Sequence, residues 1–112
     1  MGVPLYQAKA EFFKTLGHPA RIRILELLSE RDHAVHELLA EIDVEPSNLS
    51  QQLAVLRRTS LVVSRRQSGE VIYSISAPEV RDLLLAARRI LYDLVPIEID
   101  ESSAPTRDLQ NG

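Results

Sequence analysis

The apolar positions along this chain change period as it proceeds, and those changes divide it into elements. Over residues 5–16 apolar groups recur at Leu5, Ala8, Phe12 and Leu16, the spacing of an amphipathic helix. Gly17 ends that helix, and Pro19 suits the first turn of the next. Residues 19–29 carry Ile22, Ile24, Leu25, Leu27 and Leu28, apolar on too many sides for a surface helix, which predicts the central core helix. Asp32 and His33 are expected to form a turn. Val35, Leu38, Leu39 and Ile42 predict a third, short helix packed on the second. The connection over residues 43–46 is brief enough to set the third and fourth helices in a tight helix-turn-helix arrangement.

Pro46 is well placed at the first position of the fourth helix, where its missing N–H costs nothing. Leu49, Leu53 and Leu56 give that helix one narrow buried stripe, with Ser47, Gln51, Ala54 and Arg58 opposite and Asn48, Ser50 and Val55 on the margins. After Leu61 the period falls to two. Leu61, Val63 and Arg65 alternate with Val62, Ser64 and Arg66, and Val71, Tyr73 and Ile75 alternate with Ile72, Ser74 and Ser76. A Gly-containing turn, Gln67-Ser68-Gly69-Glu70, joins the two runs into a β-hairpin with Arg65, Arg66 and Gln67 near its tip. A hairpin of this kind after a helix-turn-helix is a wing. Residues 78–95 predict a last helix with Val80, Leu83, Leu84, Ala87, Ile90, Leu91 and Leu94 along one side. That stripe is wider than a small lone domain has surface to cover, which points to a second copy of the chain. The expected fold class is mainly α with a small β-hairpin, a winged helix-turn-helix in the order α-α-α-α-β-β-α. One domain spans residues 1–95, and Pro96 opens an acidic tail, 96–112, expected to be disordered.

Charge sharpens this picture. The net charge of -3 argues against a nucleic-acid partner only until its distribution is read. Through Val95 there are twelve Lys and Arg against twelve Asp and Glu, so the excess acid lies in the tail. Residues 26–45 hold seven acids and one base, whereas residues 46–69 hold four arginines and no acid. One face of the body is therefore electropositive. The fourth helix carries hydroxyls and amides where a solvated face would be dense in Glu and Lys. Such groups donate to and accept from base edges and phosphates. Ser47, Asn48, Ser50, Gln51 and Gln52 are candidates for reading bases. Arg57, Arg58, Arg65 and Arg66 are candidates for holding the phosphate backbone, and Gln67 and Ser68 are further candidate DNA-binding residues. Taken alone, the stretch could still be a short polar surface helix.

Other chemistries find little support. There is no cysteine, which removes disulfides, thiolate metal sites and thiol redox sensing. His33 and His36 lie three apart with no third ligand in view, and a solvated pair is the expectation. Arg21 and Arg23 either reach phosphate or pair with Glu26, at spacings of five and three; only the latter is helix-adjacent. No nucleophile elbow or phosphate-cradling loop is present, so no enzyme activity, catalytic residue or cofactor is expected. The start of the chain lacks a secretory pattern and no apolar run would span a bilayer, which predicts a cytoplasmic protein without a membrane partner.

Leu-Gly-His-Pro-Ala-Arg-Ile-Arg-Ile-Leu (16–25), Ser-Asn-Leu-Ser-Gln-Gln-Leu-Ala-Val-Leu-Arg (47–57) and Leu61-Val62 followed by Arg65 and Tyr73 occur in this order. Together they resemble the arsenical-repressor (ArsR) family of winged-helix transcriptional regulators, over residues 5–95. The resemblance implies a homodimer built on the first and last helices, bound to a pseudo-palindromic double-stranded DNA operator and released by an effector. On those helices Leu5, Phe12, Leu84, Ala87, Leu91 and Leu94 are the expected dimerisation residues. The chain departs from the family at its metal sites. Ala34, Val35 and His36 stand where many members carry Cys-Val-Cys or Cys-Val-Gly. Ala77, Glu79, Ile90 and Asp93 match a site that elsewhere binds zinc or nickel, leaving two carboxylates and no imidazole. Gln52 occupies a place where the family usually has His. The expected function is thus a sequence-specific DNA-binding repressor with no metal. Two alternatives remain open: a winged-helix protein-interaction module without DNA binding, and a metal-responsive repressor with a non-standard His and carboxylate site.

Overall fold

The computed structural model describes residues 2–94. The elements run α1 (Leu5–Leu16), α2 (Pro19–Glu30), β1 (His33–Ala34), α3 (Val35–Glu41), α4 (Pro46–Arg58), β2 (Val62–Gln67), β3 (Glu70–Ile75) and α5 (Glu79–Leu94). The tail expected to be disordered lies outside the described residues.

The core forms where the helical stripes converge. Ile24, Leu25, Leu27 and Leu28 of α2 meet Leu38 of α3 and Leu49, Leu53 and Leu56 of α4, all buried. Leu61, Val62 and Val80 close the cluster from the wing and α5. Burying each large side chain fully contributes roughly 1.5 to 3 kcal/mol, so this cluster fixes α4 by its inner face. Its outer face stays in solvent.

The helix ends are held by local bonds. His18 starts α2, and its Nδ1 accepts from Ala20 N at 3.1 Å. Burial, reinforced by the nearby Arg21 cation, lowers the His18 pKa. At the start of α3 the Glu37 carboxylate accepts from Ala34 N at 2.8 Å, and that bond is the main reason its pKa is lowered. The end of α4 is a Schellman turn: Leu61 N bonds Leu56 O and Ser60 N bonds Arg57 O, both at 3.0 Å. The residue between, Ser60, takes φ 64°, where glycine would be usual.

The segment after α2 departs from the sequence reading. His33 is not in a solvated turn but in β1, buried, pairing with Tyr73 while Ala34 pairs with Ile72. The sheet is consequently three-stranded, β1-β3-β2 and antiparallel, rather than a lone hairpin. Two residues are too few to show a period of two, so this strand left no signal in the pattern. The hairpin pairs Val62 with Ile75 at its base and Gln67 with Glu70 at its tip. Its two-residue loop, Ser68 at φ 52° and Gly69 at φ 82°, is the type I′ turn that matches strand twist.

Two helices are left with apolar faces uncovered. On α1, Leu5, Tyr6 and Phe13 are exposed and Phe12 is half-buried. On α5 only Val80 is buried; Leu83 and Leu84 are half-buried, while Ala87, Ile90, Leu91 and Leu94 are exposed.

Candidate nucleic-acid interface

The buried stripe of α4 determines which of its residues face outward. Ser47, Ser50, Gln51, Arg57 and Arg58 are exposed, Ala54 is half-buried, and Asn48 is half-buried in the first turn. Gln52 differs from the sequence expectation: it is buried. Its Oε1 accepts from Arg21 Nη1 and its Nε2 donates to Asn48 Oδ1, both at 2.9 Å. The amide reaches back toward α2 because Gln52 lies next to Leu53 and one turn after Asn48, on the flank of the buried stripe. A side chain so placed supports the outer face rather than belonging to it.

Arg21 does not make the pairing with Glu26 that was one alternative in the sequence: its guanidinium donates to Thr15 O at 2.6 Å and to Gln52. Arg23 makes the ion pair with Glu26, at 3.3 Å. The Arg21–Gln52 contact spans 31 positions and has no local signature in the sequence.

At the wing, Arg65, Arg66, Gln67 and Ser68 are all exposed, but the two arginines are not equivalent. Adjacent strand residues point to opposite faces. Arg65 reaches Asp32 Oδ2 at 3.0 Å, Ser74 Oγ at 2.9 Å and Gln67 Oε1 at 3.1 Å. His36 Nδ1 lies 2.9 Å from Glu70 Oε1. The Arg65–Asp32 and His36–Glu70 contacts tie one face of the wing to the residues around α3. Among the described residues, Arg57, Arg58 and Arg66 have no carboxylate within ion-pair distance.

The two histidines expected to form a solvated pair are separated in role. His33 is buried and its Nδ1 donates to Arg31 O at 2.8 Å, while His36 is exposed on Glu70. Among the described residues no three His, Asp or Glu side chains come together as metal ligands, and no helix is long and apolar enough to cross a membrane.

Comparison with known proteins agrees with this geometry. Residues 18–64 match the family model for bacterial regulatory proteins of the arsR family. The chain is 62% identical over 89 residues to the uncharacterized HTH-type transcriptional regulator Rv0081 of Mycobacterium tuberculosis, covering 79% of this chain and 78% of the relative. The crystal structure of Rv0081 superposes with a TM-score of 0.74 at 58% identity, over 84% of this chain and 95% of that one. HlyU from Vibrio cholerae, a transcriptional activator, gives a TM-score of 0.69 at 32% identity, over 81% of this chain and 100% of that structure. The transcriptional repressor BigR from Xylella fastidiosa gives 0.67 at 30% identity, over 83% and 92%. The order of elements, the outward polar face of α4 and these likenesses agree: the chain is a winged-helix member of the arsR family of bacterial transcriptional regulators.

Proposed function

We propose that this protein works as a cytoplasmic homodimeric repressor that binds a pseudo-palindromic operator in double-stranded DNA. In this reading α4 enters the major groove. Ser47, Asn48, Ser50 and Gln51 meet base edges, while Arg57, Arg58, Arg66 and the wing tip at Gln67 and Ser68 hold phosphates. Arg65 and Gln52 act from behind this surface, one steadying the wing and the other the recognition helix. Leu5, Phe12, Leu84, Ala87, Leu91 and Leu94 meet their counterparts in the partner. The observation that carries the reading is a helix pinned by three buried leucines with an outer face of hydroxyls, amides and arginines free of acids.

The test is binding to the DNA upstream of the protein's own gene, by gel shift at two salt concentrations, with the assembly mass measured by sedimentation. Operator-specific binding by a dimer is expected, falling with salt by roughly 0.9 in log–log slope per neutralised phosphate. A protein that fails to distinguish that DNA from random sequence at low salt would refute the reading.

A further inference from the structure

The part-buried chain Arg21–Gln52–Asn48 has a direction. A guanidinium carries only donors and stays charged in proteins. Arg21 is fixed at one end by its bond to Thr15 O, and at the other it donates Nη1 to Gln52. Gln52 must therefore present Oε1 to Arg21, which leaves its NH₂ group for Asn48. Asn48 in turn must receive that NH₂ with Oδ1. Turning the Gln52 carboxamide over would set NH₂ against guanidinium donors and oxygen against oxygen, with the Gln52 side chain itself buried.

We infer that Arg21 sets the polarity of Asn48, so that its free hydrogen-bonding group is the Nδ2 donor pair and Asn48 selects an acceptor on the DNA. The inference rests on the reading of α4 as the recognition helix. Eligible acceptors are purine N7, guanine O6 and thymine O4 in the major groove; the amino group of cytosine is disfavoured. The side-by-side pairing of an asparagine with adenine, which needs both Oδ1 and Nδ2, is also weakened because Oδ1 is already engaged. Asn48 is a specificity residue, and Arg21 and Gln52 are positioning residues that act through it.

The experiment has two arms. In the first, a randomised half-site library is selected by the parent and by Asn48→Ala, Gln52→Glu, Arg21→Met and Arg21→Lys. The parent is expected to favour an acceptor-bearing base over cytosine by about tenfold at one position, and Asn48→Ala to flatten that position alone. Gln52→Glu replaces the NH₂ facing Asn48 with an acceptor, so Asn48 turns over and the preference moves to cytosine or to the adenine amino group. Loss of mere support would blur the preference without inverting it. Arg21→Met should blur it, and Arg21→Lys, still a pure donor, should retain it. In the second arm, side-chain amide exchange is followed by ¹⁵N NMR in the DNA-free protein. Gln52 NH₂ protons should be protected and those of Asn48 should exchange freely, with protection passing to Asn48 in Gln52→Glu.

Specific DNA binding in which Asn48→Ala changes no base preference, or Gln52→Glu leaves the preference in place, would overturn the inference alone. Protected Asn48 protons in the parent would also overturn it. A parent that enriches no sequence would overturn the DNA-reading function and this inference with it.

Discussion

Replacing Leu91 tests the proposed assembly most directly, because that side chain takes little part in the fold of one chain. Leu91 is 44% exposed in the isolated protomer, on the same stripe as Ile90 and Leu94. Complete burial of a leucine is worth roughly 1.5 to 3 kcal/mol, so covering the exposed part contributes about 1 kcal/mol per protomer. Two copies meet in a symmetric interface, and Leu91→Ala should therefore cost about 2 kcal/mol, roughly thirtyfold in dimer dissociation. Leu91→Glu goes further, since it places two like charges in an apolar seam where neither is solvated. Sedimentation equilibrium should show Leu91→Ala dissociating at higher concentration than the parent, and Leu91→Glu as a monomer. Circular dichroism should show that both remain folded, because only Val80 of α5 belongs to the buried core. Operator binding by Leu91→Glu should fall to the level of random DNA although the DNA-facing residues are unchanged. A folded Leu91→Glu monomer that bound the full operator as tightly as the parent would show that α5 is not the assembly surface.

Three further outcomes are expected. In salt titrations of DNA binding, Arg66→Ala should reduce the log–log slope by about 0.9, whereas Arg65→Ala should reduce it less and Asp32→Ala, which releases Arg65, should increase it; equal losses from both arginines would contradict their division of roles. Ser60→Gly removes a left-handed strain of about 1 to 2 kcal/mol against a loss of chain entropy of about 0.5 to 1, so denaturant unfolding should show no loss and a net gain of up to about 1.5 kcal/mol, and a net loss would mean that Ser60 is unstrained. The lowered pKa of His18 means that folding favours the neutral ring. The native state then binds fewer protons than the unfolded chain just below pH 6.5, its contribution is complete above that value, and stability falls as pH drops through the window. His18→Asn keeps a capping acceptor and should remove that portion of the pH dependence in thermal melts, leaving the acid loss due to Glu37, which sets in lower, in the carboxylate range.

The parts of this molecule that were legible in the sequence are those with a repeating period. Leu49, Leu53 and Leu56 announced α4 and its inner face, and the alternation after Leu61 announced the hairpin, because burial on one side imposes 3.6 or 2 on the chain. The turn residues were equally plain, since Ser68-Gly69 suits the type I′ loop. What escaped was non-periodic or long-range. β1 is two residues long, and His33 looked like a solvated histidine because its burial depends on the distant Tyr73 strand. Arg65 and Arg66 were alike on paper until Asp32 was brought against one of them. Gln52 read as a base contact because it is an amide on α4, standing where the family usually has His, and only its bond to Arg21 shows which way it turns.

The joint after α4 has a mechanical consequence. Ser76 N donates to Leu61 O at 3.0 Å, and Ser76 Oγ bonds Ser60 O, so the Schellman turn, the root of the wing and the approach to α5 are clasped at one point. Only Ala77 and Pro78 separate that clasp from Glu79, the first residue of α5. In the proposed dimer α5 belongs to the assembly surface, so the clasp couples the end of the recognition helix to the helix that meets the partner. Two recognition helices must reach major grooves about 34 Å apart, which sets each about 17 Å from the symmetry axis. A rotation of each protomer by about 10° about the centre of the dimer would carry its recognition helix about 3 Å, close to one base step. An effector acting on this protein need not touch the DNA-reading face, because a contact that displaced Ser60 or Ser76 would reach the end of α4 and the approach to α5 together.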